Sequence, residues 1–189
     1  MKTLYLIRHS ITDGNEKRWY YGAADIPLSD AGRTLCRSLQ GSYALPNGTA
    51  FATSGMLRAE ETLQLLFGDL QHSVFPGLSE MNMGKFEMHT YDELKDDEDF
   101  QKWCYDDAFV IPGGESNEGY TKRVESCISE IITSHSGHLF IVCHSGTIRR
   151  AMTFLFPASG KGFWDWKPDS CHGYAVYFEN GSAISYESI

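Results

Sequence analysis

Two apolar runs in this chain each stop at a histidine followed by a small residue. They are Leu6-Ile7-Arg8-His9-Ser10 near the start and Ile141-Val142-Cys143-His144-Ser145-Gly146 much later. A buried strand that delivers His into a turn places an imidazole at the rim of a sheet. Two such strands can bring two imidazoles together, and Arg8 adds a permanent positive charge beside the first. That set suits phosphoryl transfer, in which the protein chiefly positions and neutralises phosphate oxygens. Roles follow from residue type. A neutral imidazole can attack phosphorus and carry the group as phosphohistidine. A second, protonated imidazole can stabilise charge on the equatorial oxygens. Arg8 and Arg58 can clamp phosphate with paired N–H donors. The leaving alkoxide needs a proton, and Glu80, in the loop Leu78-Ser79-Glu80-Met81, is the best candidate donor.

The elements that must position these groups alternate between apolar runs and helical patterns, which predicts an α/β fold. Leu4 to Ile7 reads as a first strand. Ser29 caps a helix through Leu39, after Pro27 has closed the preceding loop. Ala50 to Thr53 is a second strand, followed by a helix from Leu57 to Phe67 stopped by Gly68. Ser73 to Phe75 is a weak third strand. Asp92 to Gln101 is predicted as one acidic helix, packed by Leu94, Phe100 and Trp103. Ser116 caps a helix whose residues Tyr120, Val124, Cys127, Ile128, Ile131 and Ile132 share one face. Leu139 to Cys143 is continuously apolar, as expected of a strand buried on both faces of a parallel sheet. Ile148, Ala151, Met152 and Leu155 mark the helix after His144, and Pro157 ends it. Tyr174–Phe178 and Ser182–Tyr186 form a hairpin around Asn180-Gly181.

In open α/β sheets ligands bind beyond the carboxyl ends of the strands. Three strand-to-helix junctions place Arg8 and His9, Ser54 and Arg58, and His144 and Ser145 there. Helix N-termini at the second and last junctions would aim backbone donors at an anion. Trp19, Tyr20 and Tyr21 either line the pocket or simply pack. With Phe86 and residues 88–112 they are expected to shape the space for the leaving group.

The 189 residues suffice for one domain, and a hydrophobic content of 42% fits a globular chain. The net charge of −9 argues against nucleic acid as a partner. It also means that attraction for an anionic substrate must be local. No apolar run approaches the roughly 18 residues of a membrane helix, and the apolar start from Met1 to Ile7 is too short for a signal peptide. The five cysteines are widely spaced, with no CxxC, and read as free thiols in a reducing cytoplasm. The acidic run from Asp92 to Asp99 lacks the glycine and spacing of a calcium loop.

These residues match a known pattern. The chain resembles the histidine phosphatase superfamily, in the branch that contains cofactor-dependent phosphoglycerate mutase and α-ribazole phosphatase. The opening motif Arg-His-Gly-x-Thr-x-x-Asn reads here as Arg8-His9-Ser10-Ile11-Thr12-Asp13-Gly14-Asn15. Further family elements follow in order: Gly22 to Gly32, Ser54 to Ala59, Leu78 to Glu87, Gly-Gly-Glu-Ser at 113–116 and His-x-Gly-x-Ile-Arg at 144–149. The resemblance implies a three-layer α/β/α sandwich with a mostly parallel central sheet. It makes His9 the phosphorylated nucleophile and Glu80 the acid/base. Arg8, Arg58 and His144 complete the phosphate pocket, joined by Asn15 and by Ser145 with the Gly146 backbone. No metal or cofactor is implied. Ser10 and Ile11 depart from the pattern beside the nucleophile, and Met88 stands where Gly is common.

The mutases that resemble this chain are longer, with an insert that shields the intermediate from water, whereas residues 88–112 are short here. The expectation is a phosphatase acting on a small phosphorylated metabolite, α-ribazole 5′-phosphate or a sugar phosphate, with residues 88–112 as a lid on a single domain over 1–189. The alternatives are mutase-type transfer and a degenerate member that binds phosphorylated ligands without turnover. Monomer and homodimer both remain open.

Overall fold

A computed structural model describes residues 2–189; Met1 lies outside the described residues. The apolar run at the start forms β1 (Lys2–Arg8), the middle of a six-stranded sheet. In chain order there follow α1 (Asp13–Glu16), β2 (Trp19–Tyr20), α2 (Asp30–Ser38), β3 (Ala50–Thr53), α3 (Leu57–Phe67) and β4 (Ser73–Val74). Then come β5 (His89–Thr90), α4 (Tyr91–Leu94), α5 (Glu98–Tyr105), α6 (Asn117–Ser134), β6 (His138–Cys143), α7 (Ser145–Leu155), β7 (Gly173–Glu179) and β8 (Ser182–Ser188). The sheet order is β4-β3-β6-β1-β7-β8. The first four are parallel, and β7 and β8 add an antiparallel edge. Helices cover both faces, which is the α/β sandwich expected.

The all-apolar β6 is buried from Leu139 to Cys143 because helices cover it on both sides. The predicted stripe of α6 supplies one side: Val124, Ile128 and Ile131 are fully buried there and share a core with Leu4, Leu6, Ile141 and Met152. Burying each such side chain contributes about 1.5–3 kcal/mol. The opposite face packs Tyr5, Ile7, Phe140 and Val142 against Ala59 and Leu63 of α3. Ser29 and Ser116 cap their helices as read, accepting from Gly32 N and Gly119 N.

Two expectations change. Asp92 to Gln101 is not one helix. Thr90 caps α4 through a capping box with Glu93, and Asp97 caps α5 through the amides of Asp99 and Phe100. A capping aspartate inside the run restarts the helix, because its side chain competes for the amides that a continuous helix would use. Tyr20 also packs rather than lining a pocket, stacking edge-on against Phe100 and Trp103. The two-residue strands β2 and β5 pair as a separate ribbon that local pattern does not announce. Met88, beside that ribbon, has φ 64°. This left-handed conformation is why glycine suits the position.

Candidate active site

Sheet register brings the two histidines together. Arg8 is the parallel partner of Cys143, so the residues that follow, His9 and His144, leave the sheet side by side. His9 N–H donates to Cys143 O at 2.9 Å, and the ring centroids lie 5.2 Å apart. On the other side of β6, Ser54 N–H donates to Val142 O at 3.2 Å, which sets the Ser54 hydroxyl beside His144 Nε2 at 2.8 Å.

His9 is buried, and its Nδ1 lies 2.6 Å from Ser10 O. A carbonyl only accepts, so Nδ1 carries the proton and the Nε2 lone pair is left free. Burial, then the charges of Arg58 and Arg8, hold the His9 pKa well below its usual range, so the ring is neutral at pH 7. That is the state a nucleophile requires.

His144 departs from expectation. Arg58 Nε donates to its Nδ1 at 3.2 Å, which leaves Nε2–H to donate to Ser54. Burial, Arg58 and His9 push its pKa well below the usual value. The protonated imidazole expected from the sequence is therefore a neutral one in the free protein, because burial and then the adjacent Arg58 guanidinium oppose a further charge.

Arg58 is fully buried and held on three sides. Besides His144 it donates to Ala24 O at 2.9 Å and Gly22 O at 2.7 Å, while Tyr21 faces its guanidinium at 5.1 Å. Of its five donors two remain for a ligand. The loop supplying those carbonyls hangs on Glu87, whose carboxylate accepts from the amides of Gly22, Ala23, Ala24 and Met83. Glu87 ended a quoted motif, but nothing local reveals that it supports Arg58 through a loop some 60 residues earlier. Gly22 is obligatory there, since a Cβ would lie 1.6 Å from Met81 O. Arg8 donates to Pro168 O at 3.2 Å, and its buried Nε has no partner among the described residues. An unpaired buried cationic donor at the rim of a site is what an anion would satisfy.

The helix N-termini are partly occupied. At α3, Leu57 N–H donates to Asp25 at 2.7 Å, so that amide is already taken. At α7, Gly146 N–H donates to Glu80 Oε2 at 2.9 Å. Ser145 opens α7, half-buried, directly after His144. Asn15 Oδ1 accepts from Thr12 N–H at 3.0 Å in a capping box, a cap that does not use its side-chain nitrogen.

Glu80 sits in a cage of donors: Met81 N–H at 3.0 Å and Tyr120 Oη at 2.5 Å to Oε1, with Gly146 on Oε2. Arg123 pins the loop that carries it. It pairs with Glu115 at 2.7 Å and donates to the carbonyls of Gly77 and Ser79, each at 3.0 Å. A cleft of about 500 Å³ opens beside Glu80, walled by Met56, Pro76, Asn82, Glu115 and Arg123. Neither Tyr20 nor Phe86 lines this cleft, and Phe86 lies wholly within the core. The sequence signal that could have found Tyr120 and Arg123 is their position one and two turns after Gly-Gly-Glu-Ser, on the helix face that also carries the core stripe.

Ser10 does not enter the pocket. It is fully buried, its hydroxyl donates to Gly32 O at 2.8 Å, and its amide donates to Thr62 Oγ1 at 2.9 Å. Among the described residues no group of three or more His, Cys, Asp or Glu side chains is arranged to hold a metal ion. No helix among them is long and apolar enough to cross a membrane.

A paired-histidine, paired-arginine pocket at the carboxyl edge of a parallel sheet defines a phosphoryl-handling enzyme. The chain belongs to the histidine phosphatase superfamily, branch 1, whose family model matches residues 4–185. It is 30% identical over 175 residues to the adenosylcobalamin/α-ribazole phosphatase of Escherichia coli K12, covering 88% of this chain and 85% of the relative. The Salmonella typhimurium enzyme of the same name is 28% identical over 187 residues, 92% of this chain and 93% of the relative. The crystal structure of the α-ribazole phosphatase from Shigella flexneri superimposes with a TM-score of 0.83 at 26% identity, covering 96% of this chain and 93% of that one. A phosphoglycerate mutase from Thermus thermophilus shares the fold, with a TM-score of 0.72 at 24% identity over 97% of both chains. The chain is a phosphatase of this family.

Proposed function

We propose that the protein hydrolyses a small phosphomonoester through a phosphohistidine on His9. The observation that carries this reading is the neutral His9 ring, with Nδ1–H tied to Ser10 O, its Nε2 lone pair free, and the charges of Arg58 and Arg8 close enough to act on it. Arg8 and the remaining donors of Arg58 neutralise the phosphate, and Asn15 and Ser145 extend that grip. Glu80 protonates the leaving oxygen and then takes the proton of the water that attacks the phosphohistidine. A phosphate dianion offsets the cationic field that keeps the His144 ring neutral, so His144 takes up a proton at Nδ1 as Arg58 Nε–H turns from it to the phosphate, and the imidazolium then stabilises the equatorial oxygens.

The relatives named for α-ribazole favour α-ribazole 5′-phosphate as substrate, with sugar phosphates as the neighbouring class. The five free thiols support action in a reducing cytoplasm, and the net charge of −9 argues against nucleic acid. Residues 88–112 are read as a lid within a single domain, placed between the Glu80 loop and α6. Cleavage at Tyr105, 92% exposed, would slow when phosphate binds; an unchanged rate would count against the lid.

The decisive experiment is hydrolysis of p-nitrophenyl phosphate by wild type and His9→Ala, with acid quenching to trap the phosphoenzyme. Wild type turns over without added metal and in the presence of EDTA, and the variant loses activity by at least about 10³-fold. Equal inertness across a phosphomonoester panel would instead favour the binding-only alternative. Transfer to a second phosphorylated acid in preference to water would favour the mutase.

A further inference from the structure

We propose that Tyr120 is a positioning residue for Glu80: its hydroxyl fixes the carboxyl group in the rotamer that presents Oε2 to the leaving oxygen. The inference rests on the phosphatase reading of the site. Tyr120 lies on α6, with its hydroxyl close to Gly146 at the start of α7. It is 2% exposed, and its hydroxyl donates to Glu80 Oε1 at 2.5 Å. A phenol buried in the core stripe of a helix could have been an ordinary filler. Its hydroxyl argues otherwise, because the single proton it can donate goes to Glu80. The Tyr120 oxygen is also 3.0 Å from Thr147 Oγ1, which donates at 3.2 Å to the carbonyl of Ser79, the residue before Glu80.

Burial, and then the neighbouring Glu80 charge, drive the Tyr120 pKa well above its usual value. The hydroxyl therefore keeps its proton throughout the working range and acts as a fixed donor. Together with Met81 N–H it saturates Oε1, while Gly146 N–H holds Oε2 from one side only. One lone pair, on Oε2, is left to exchange a proton with the substrate. Without Tyr120 the side chain keeps two backbone donors, but Oε1 loses its strongest restraint and the carboxyl group can swing into the adjoining cleft.

A residue that acts through Glu80 has two signatures that a structural residue lacks. First, Tyr120→Phe widens the ratio of kcat/KM between p-nitrophenyl phosphate, whose leaving group scarcely needs a proton, and an alkyl phosphate by about 30-fold, as expected for a displaced acid. Second, in a Glu80→Gln background the same substitution leaves that ratio unmoved, because the group it positions has already lost its proton. A ratio unchanged in Tyr120→Phe, or an equal further loss in the double variant, overturns the proposal. Should Tyr120→Phe fail to fold, Thr147→Val widens the same ratio more weakly, and no widening overturns the proposal. An unchanged ratio in an active Tyr120→Phe enzyme refutes the role of Tyr120 alone. His9→Ala as active as wild type refutes the phosphatase reading, and this inference with it.

Discussion

Gly146→Ala tests how tightly the acid is built into this site. A Cβ at position 146 would lie 2.5 Å from Glu80 Oε1, 3.2 Å from its Cδ and 2.9 Å from the Tyr120 hydroxyl. Ordinary contact begins at 3.4 Å, so the carboxylate must retreat by about 0.9 Å from its 2.5 Å position. Such a retreat stretches the 2.9 Å bond from Gly146 N–H beyond hydrogen-bonding range and pulls Oε1 off Tyr120. A misplacement of about 1 Å costs a catalytic group on the order of 10² in rate. Stability changes less. Alanine in a helix is favoured over glycine by about 1 kcal/mol, against roughly 1.5–3 kcal/mol for a lost bond to a charged group. The net loss is about 0.5–2 kcal/mol, a fall of roughly 1–8 °C in Tm for a chain of this size. Steady-state kinetics on an alkyl phosphate should show the loss of about 10², with p-nitrophenyl phosphate falling far less, beside a thermal melt. An alkyl phosphate rate within fivefold of wild type would refute the reasoning, as would an equal loss on both substrates.

Other outcomes follow from the same geometry. Ser10→Ala removes the 2.8 Å bond to Gly32 O in a buried place, so it should cost about 1 kcal/mol in urea unfolding while kcat/KM stays within about threefold; a tenfold kinetic loss would mean that Ser10 reaches the substrate after all. His9 and His144 are neutral when folded but titrate near 6.5 when unfolded. The unfolded state then binds more protons, so stability falls as pH drops below about 6.5, by up to about 2.7 kcal/mol per pH unit for the pair. Urea unfolding between pH 6.5 and about 5.5, above most carboxylate titration, should show a loss of about 2 kcal/mol and about half of it in His9→Gln; a flat dependence would contradict buried neutral imidazoles. Binding of sulfate, already a dianion at pH 7, followed by calorimetry in buffers of different ionisation enthalpy, should show net proton uptake, and none would leave His144 neutral in the complex.

Much of this site was legible along the chain because its parts are local. A strand of Leu4, Leu6 and Ile7 ending in Arg8-His9, and one from Leu139 to Cys143 ending in His144, each announce a reactive group at a sheet edge by pattern alone. Ser29 and Ser116 as caps, and the buried stripe of α6, are likewise short-range facts. The residue types also restrict the chemistry, since imidazole, guanidinium and carboxyl in that order of motifs suit phosphate. What sequence could not decide was everything set by register and by contacts between distant segments. Only the pairing of Arg8 with Cys143 makes the histidines neighbours. Only the packed pocket, with burial and Arg58 acting together, makes both rings neutral in the free protein. The direction of the Ser10 hydroxyl, the cage around Glu80 and the support of Arg58 by Glu87 depend on backbone from loops far apart in sequence. Electrostatics and hydrogen-bond geometry are properties of that assembled environment, so the chain names the groups while the fold assigns their protonation and aim.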